Sequence, residues 1–567
     1  MFKENKNHNQ GSFFDIAKQL PESTQKKMQE SEENSFYHLI FSKIDEKIFK
    51  VLFSDKGSRP NAPVNRLVSA IILSNKKGWT RAEMMNQIEF NLLTRKALGL
   101  HELSEQAFSE ATFYNFQNRL LDHFIKTGEN LLERVFDGLT EEQLKELKIK
   151  ADIQRTDSFQ AMSNIRNYSR VQLLIEMLIR FWRILEEEDK EKYKEILTPY
   201  TKQTSGQYIY KLSRAQIPHE LTEIGKIYRN LHTGLKKRYE DIEIFKTFER
   251  VYYEHFTVVS KKVEVKSNKE LHSGMVQSPD DLDATYRKKG NKEFQGQAVN
   301  VTETANPENE LNLVTDIGVD SNNTDDSEIL NERIDKLKEK TPELEELHTD
   351  GGYASEDNDE KSEELEIDQV QTGIRGRKKE VRMKIDKIDE EEYEVECPRQ
   401  RVRAEKARKR YKAEFNKAEC CNCEWSDKCP AIEMKKCRVY YFEYSDYLAD
   451  KRKSNIEKLP PERRKIRPNV EATIKEFTAP LNHKGKLRVR GRFKTMLYAY
   501  SMGIGINLGR IHRYLGDNPQ LSEFLSYSER IINIFSGWLS AFVRIINRFD
   551  FIACCKGLDD KLWGKSS

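Results

Sequence analysis

Apolar residues recur at three- and four-residue spacing from "RPNAPVNRLVSAIILSNKKGW" (59–79) to "FSEATFYNFQNRLLDHFIKTGENLLERVFDGL" (108–139), which predicts amphipathic helices. Pro60 and Pro63 punctuate the start, and Ser109 and Thr112 read as caps. A helix-turn-helix-like segment near residues 79–120 and a plain helical bundle fit this pattern equally. The period then changes. "LKIKADIQRTDSFQ" (147–160) alternates as a strand does, and the alternation ends at Asp157. Residues 169–255 return to helical period. "QGQAVNVTETANPENELNLVTDIGVD" (295–320) reads as two strands around the turn "ANPEN". A helix over 322–340 leads to a short strand ending at Asp350. After a basic, Cys-rich stretch, "PPERRKIRPNVEATIKEFTA" (460–479) resumes helix around Glu471.

Strands followed by crossover helices predict an α/β fold, a mixed sheet with helices on both faces. The expected organisation is a helical N-terminal domain (1–145) and the first part of a sheet-based core (146–375) interrupted by a helical insertion (169–255). A basic, Cys-rich insertion (376–440) follows, and then the rest of the core with the Glu471 helix and C-terminal helices (441–567).

With 37% apolar and 33% charged residues the chain is polar, but 28 Phe and 23 Tyr supply core material, so it reads as folded. The net charge of +3 conceals an acidic stretch from Pro342 to Asp368 and three basic ones. These are "RGRKKEVRMK" (375–384), "RVRAEKARKRYK" (401–412) and "KGKLRVRGRFK" (484–494). Each alone is an ordinary solvated face; together, beside acid-rich segments, they suit a protein that meets a polyanion. "MFKENKNHNQGSFF" lacks the apolar centre of a signal peptide, and "IINIFSGWLSAFVRIINRF" (531–549) is broken by Arg544 and Arg548. The expectation is a cytoplasmic protein without a membrane span.

Asp350 lies in "HTDGGYASED" (348–357), at the tip of a predicted strand and beside two glycines. It reads either as a cap for the next helix or as a metal-binding acid. Phosphoryl transfer by two divalent ions about 4 Å apart needs two or three carboxylates aimed together by rigid elements. Asp157 and Asp350 on adjacent strands, with Glu471 reaching in from a helix, would meet that need. Gly351 and Gly352 would then let a substrate backbone come close. Among 93 acidic residues many such triplets exist. Asp152 is a rival for the first position, although it reads as lying inside the strand. Asp280, Asp281 and Asp283 in "SPDDLDA" read as a turn before the hairpin.

"RTDSFQAMSNI", "SPDDLDATYRKKGNKEFQGQAVNVTET", "LHTDGGYASE", "RPNVEATIKEF" and "GKLRVRGRFKTMLYAYSMGIGINLGRI" resemble signature segments of DDE transposases from bacterial insertion sequences. "RPNAPVNRLVSAIILSNKKGWTRAEMMNQI" in the N-terminal region does too. The resemblance covers most of the chain in the expected order. It implies a core similar to ribonuclease H, with the family's acids falling on Asp157, Asp350 and Glu471. It further implies two Mg2+ (or Mn2+) ions on those acids, and double-stranded DNA as partner, both the element's terminal inverted repeats and target DNA. The implied activity is strand cleavage and strand transfer by a homodimer in the DNA complex. Around the family's Glu, a Tyr, Arg, Glu and Lys recur at fixed spacing. Here Arg467 precedes Glu471 by four residues, Arg464 stands in the tyrosine's place and Thr478 in the lysine's, and Lys475 is a substitute one turn after Glu471. A metal-dependent nuclease without strand transfer, and an inert DNA-binding regulator, are the other readings.

In "KGKLRVRGRFK" the charges of Lys486, Arg488, Arg490 and Arg492 alternate at period two, so an extended segment would point all four one way. That arrangement serves phosphate contact or protection of a sheet edge. Cys420, Cys423 and Cys429 form C-x2-C-x5-C, and Cys397 would complete four thiolates for a structural zinc. Cys421 and Cys437 confuse the assignment, and reduced, partly buried thiols are the alternative. Cys554 and Cys555 read as packing residues.

Overall fold

A computed structural model describes residues 1–6, 15–54, 56, 59–260, 262–372, 381–389, 391–482 and 484–518. The apolar C-terminal segment 531–549, Cys554, Cys555 and most of the first basic stretch lie outside these residues. The chain divides into two compact units, residues 1–507 and 508–567. Of the second, the described residues 508–517 are helical.

The N-terminal region is helical, as its period requires. Its most buried helix is α1 (Val64–Lys77), closed by Gly78 in the left-handed conformation that glycine adopts freely. Buried Glu46 accepts from the amides of Val64 and Asn65 at the free N-terminus of α1, and from Asn5. Thr80 and Glu83 form a capping box that starts α2 (Arg81–Phe90), and Ser109 caps α3 (Glu110–Thr127), as its position predicts. The last of these helices is α4 (Leu131–Glu146).

The central sheet begins with β1 (Ile153–Met162). The helical insertion follows, with α5 (Arg170–Ile184), α6 (Glu187–Thr201), α7 (Ile217–Tyr239) and α8 (Glu243–His255) packed around a core of Phe181, Tyr228, Phe245 and Phe248. The chain returns to the sheet as β2 (Thr285–Lys289), β3 (Lys292–Thr304) and β4 (Val314–Ser321). It then crosses by α9 (Asp326–Lys340) to β5 (Glu346–Asp350), and by α10 (Glu356–Glu364) to β6 (Asp368–Thr372). β3 runs antiparallel to β1, β2 and β4, whereas β1, β5 and β6 are parallel neighbours. The strand order is therefore β4-β3-β1-β5-β6, with β2 on the first part of β3.

Residues 384–442 build a separate six-stranded antiparallel sheet with its own small core around Tyr393, Phe415 and Phe442. The second basic stretch forms two of its strands, and ion pairs Arg401–Glu394, Lys406–Glu391 and Lys412–Glu414 occupy part of that charge within the sheet. Two helices return to the main sheet, α11 (Tyr444–Lys458) and α12 (Val470–Thr478). The last described helix is α13 (Arg492–Asp517).

Three expectations are corrected. Asp157 lies in the middle of the ten-residue β1, which the turn-like "SFQ" does not end. Asp152 precedes that strand; both its carboxylate oxygens accept from the Asn306 amide, so it anchors the hairpin turn. Residues 484–491 are not a strand beyond one bridge between Lys486 and Met162, and Arg492 already belongs to α13. The alternating cations therefore do not share a face. Lys486 donates to the carbonyl of Ile165, Arg490 to that of Asn164 and Arg492 to that of Val319, while Arg488 approaches Glu83 at 3.8 Å. Part of the basic stretch thus serves to fasten the loop to the main sheet.

Candidate active site

The register of the sheet brings the first two acids together. Ile153, Gln154 and Arg155 of β1 lie opposite Glu346, Leu347 and His348 of β5. Continued by two residues, the same register sets Asp157 level with Asp350. The third acid arrives from α12, which lies against β1 through Phe477 and Phe159, ring centroids 5.9 Å apart. A buried polar brace fixes this docking. The fully buried carboxylate of Glu303 on β3 accepts from Arg155 Nε at 2.7 Å and from Thr473 of α12 at 2.7 Å. Arg155 also donates to the carbonyl of Ile466, the residue before Arg467.

All three acids face one guanidinium. Arg467 Nη2 lies 2.6 Å from Asp157 Oδ2 and 3.7 Å from Asp350 Oδ2, and Nη1 lies 3.9 Å from Glu471 Oε1. The second oxygens of the aspartates are held by the backbone. Asp157 Oδ1 accepts from the amide of Ser158 at 2.8 Å, and Asp350 Oδ1 from that of Gly352 at 2.7 Å. Asp350 caps the turn Gly351–Tyr353 with one oxygen, and its other oxygen lies on the side of the Arg467 guanidinium. The Asp157 side chain is 14% exposed and that of Glu471 is 63% exposed, so the site is closed at the sheet and open at the helix. Burial pushes the Asp157 carboxyl above its ordinary range; Arg467 and the Ser158 amide oppose this, and the nearby charges of Asp350 and Asp326 add to it.

Sequence reasoning missed Asp326. It is the first residue of α9, where acids are common, and nothing in "NNTDDSEIL" separates it from an ordinary helix start. In the fold its Oδ1 accepts from Ser158 Oγ at 2.7 Å, adjacent to Asp157. A Cβ on Gly352 would stand 2.9 Å from Asp350 Oδ1 and 3.4 Å from Asp326 Oδ2, so this glycine makes room for the chain's own carboxylates. Beneath them, buried Asn300 donates to the Tyr353 hydroxyl at 2.8 Å and stiffens the floor. Lys475 is exposed one turn after Glu471.

Cys397, Cys420, Cys423 and Cys429 line a single small cavity in the insertion sheet, together with Gln400 and Arg438. Cys421 is exposed, and Cys437 lies in a strand and does not line the cavity. Gln400 donates to Cys397 and Cys420. Among the described residues, no group of three or more His, Cys, Asp or Glu is arranged to hold a metal ion as placed. In the acidic site the Arg467 guanidinium stands among the carboxylates.

Fold and site together define a mixed α/β protein whose central sheet gathers acids from widely separated segments around one cation. Residues 25–119 match the family model described as "Transposase domain (DUF772)". This match lies within the N-terminal helical region and agrees with the resemblance to insertion-sequence transposases. No curated protein and no solved structure matches the chain. Among the described residues no helix is long and apolar enough to cross a membrane.

Proposed function

We propose that the chain is a DDE transposase that binds the ends of its mobile element and catalyses Mg2+-dependent DNA cleavage and strand transfer. The observation that carries this reading is the convergence of Asp157, Asp350 and Glu471, far apart in sequence, on one cation. The strand order β4-β3-β1-β5-β6, with β3 alone antiparallel to its two long neighbours, supports a ribonuclease H-like core.

The donor set fits divalent metal: carboxylates only, on a strand, a strand end and a helix, with one side open to solvent. When bound, two Mg2+ (or Mn2+) ions supply activation of water or of a 3′-hydroxyl and stabilisation of the leaving oxygen. The chain's own part is to aim these acids. The Ser158 and Gly352 amides fix one oxygen of each aspartate and leave the other facing inward. Glu471, on the open side, is the acid that a DNA backbone would meet first. Lys475, Lys486 and the partly exposed Arg488, Arg490 and Arg492 provide phosphate contacts, and Arg467 stands among the acids themselves. The N-terminal helices would read the terminal repeats, and a homodimer would pair two ends in the nucleoid. In the insertion sheet, the four thiols on one cavity are the donor set for a structural zinc.

The reading is tested with purified protein, DNA carrying precleaved element ends, a target plasmid and Mg2+. Joined products are expected with wild type and not with Glu471→Gln. Cleavage of uncut ends without any joining would leave only a nuclease.

A further inference from the structure

Two arginines lie beside the acids, and they are held very differently. Arg155 is a structural brace: buried, its Nε donates to Glu303 and its Nη1 to a backbone carbonyl. Among the described residues the Arg467 side chain makes one hydrogen bond, to Asp157; its distances to Asp350 and Glu471 exceed hydrogen-bonding range, and its buried Nε has no acceptor there. A guanidinium offers five donors, so this one is poorly satisfied where it lies. What keeps it there is charge: carboxylates gathered this closely repel one another unless a cation stands between them.

On the reading of these acids as metal ligands, we infer that Arg467 is the site's internal cation, filling the metal's place until a divalent ion displaces its guanidinium toward the open, Glu471 side. Metal entry and the Arg467–Asp157 pair are then mutually exclusive. An ion with twice the charge and a preference for carboxylate oxygen displaces a cation held by one hydrogen bond. The long side chain lets the guanidinium leave while its backbone stays anchored at Ile466 by Arg155. Once released, it lies where phosphate arrives, so loading the acids with metal would also present a cation to DNA.

Mn2+ binding to the full-length protein without DNA tests this. Removing the competitor in Arg467→Gln should tighten Mn2+ binding about tenfold or more, the worth of one hydrogen bond to a charged group. The variant's thermal midpoint should fall without metal and recover with saturating Mn2+. The unmodified protein gives a second readout: phenylglyoxal labelling of Arg467, followed by mass spectrometry, should rise on adding Mn2+. Equal or weaker Mn2+ binding by Arg467→Gln, or labelling unchanged by metal, would overturn the inference. Asp350→Asn separates the two levels. If it abolishes Mn2+ binding to an otherwise wild-type chain while Arg467→Gln fails to tighten it, only the role of Arg467 is lost. If wild type and Arg467→Gln bind no Mn2+ that Asp350→Asn removes, the metal reading of the acids fails as well, and this inference with it.

Discussion

Arg155 and Arg467 show how little a residue's type says about its task. Both are arginines near the same acids, and only the count of their acceptors separates a brace from a displaceable counter-ion. That Asp157, Asp350 and Glu471 lie close together was anticipated in the sequence because each stands inside a recognisable run of neighbours. Asp326 was not, since an acid in the first turn of a helix is chemically ordinary until the fold sets it beside Ser158. Glu303 was hidden for the opposite reason: an acid in a strand reads as solvated, yet this one is wholly buried and paired. His255 is a further case. It ends α8 with 5% exposure and neither ring nitrogen hydrogen-bonded among the described residues, and burial, with Arg170 and Lys266 nearby, lowers its pKa to about 3. The folded chain keeps this ring neutral, whereas the unfolded chain protonates it below about 6.5. Its linkage therefore leaves stability intact above that pH and removes it as the pH falls toward 3. Between pH 6.5 and 5 the loss is about 2 kcal/mol for one such group. Urea midpoints of wild type should drop over this window, and His255→Phe should flatten the drop; identical pH dependence in the two proteins would show that His255 is not the group.

At the scale of elements, periodicity recovered most of the main sheet and its crossover helices, because alternation and helical spacing follow directly from which face is buried. It failed where charge, not burial, made the pattern. The alternating cations of 484–492 mimic a strand, but Lys486 and Arg490 spend their donors on backbone carbonyls at 165 and 164, and the chain stays irregular. It failed again at β1, where polar Asp157, Ser158 and Gln160 look like a turn although the β3 partner continues through Met162. The insertion sheet is a small element with little core of its own, around Tyr393, Phe415 and Phe442, and small folds of this kind commonly need a staple. Zinc on Cys397, Cys420, Cys423 and Cys429 would be that staple. Metal analysis of protein purified without added zinc should find one ion per chain, and Cys420→Ser with Cys423→Ser should lose it and open this sheet to protease. Full occupancy in that double variant, or none in wild type, would count against the assignment.

For the molecule as a whole, the sheet is the meeting point of parts with different duties. Asp316 on β4 is buried with Arg333 and Lys340 of α9, and these cations hold its carboxyl well below the usual range against the cost of burial. Lys340 also pairs with Asp137 of α4 at 2.6 Å, so the helix that follows the matched transposase domain is tied to the same sheet that carries Asp157. This linkage could not be read from the sequence, because it joins charges more than 150 residues apart that each look like a solvated face. Its consequence is that α4 is fastened to the sheet through Lys340. If the acids of the candidate site carry the chemistry, it is separable from binding. The most direct check compares wild type with Asp350→Asn on DNA carrying an element end in Mg2+, measuring cleavage and end binding in the same samples. The expected result is a loss of cleavage of about a hundredfold or more with end binding retained; cleavage at the wild-type rate in Asp350→Asn would contradict it.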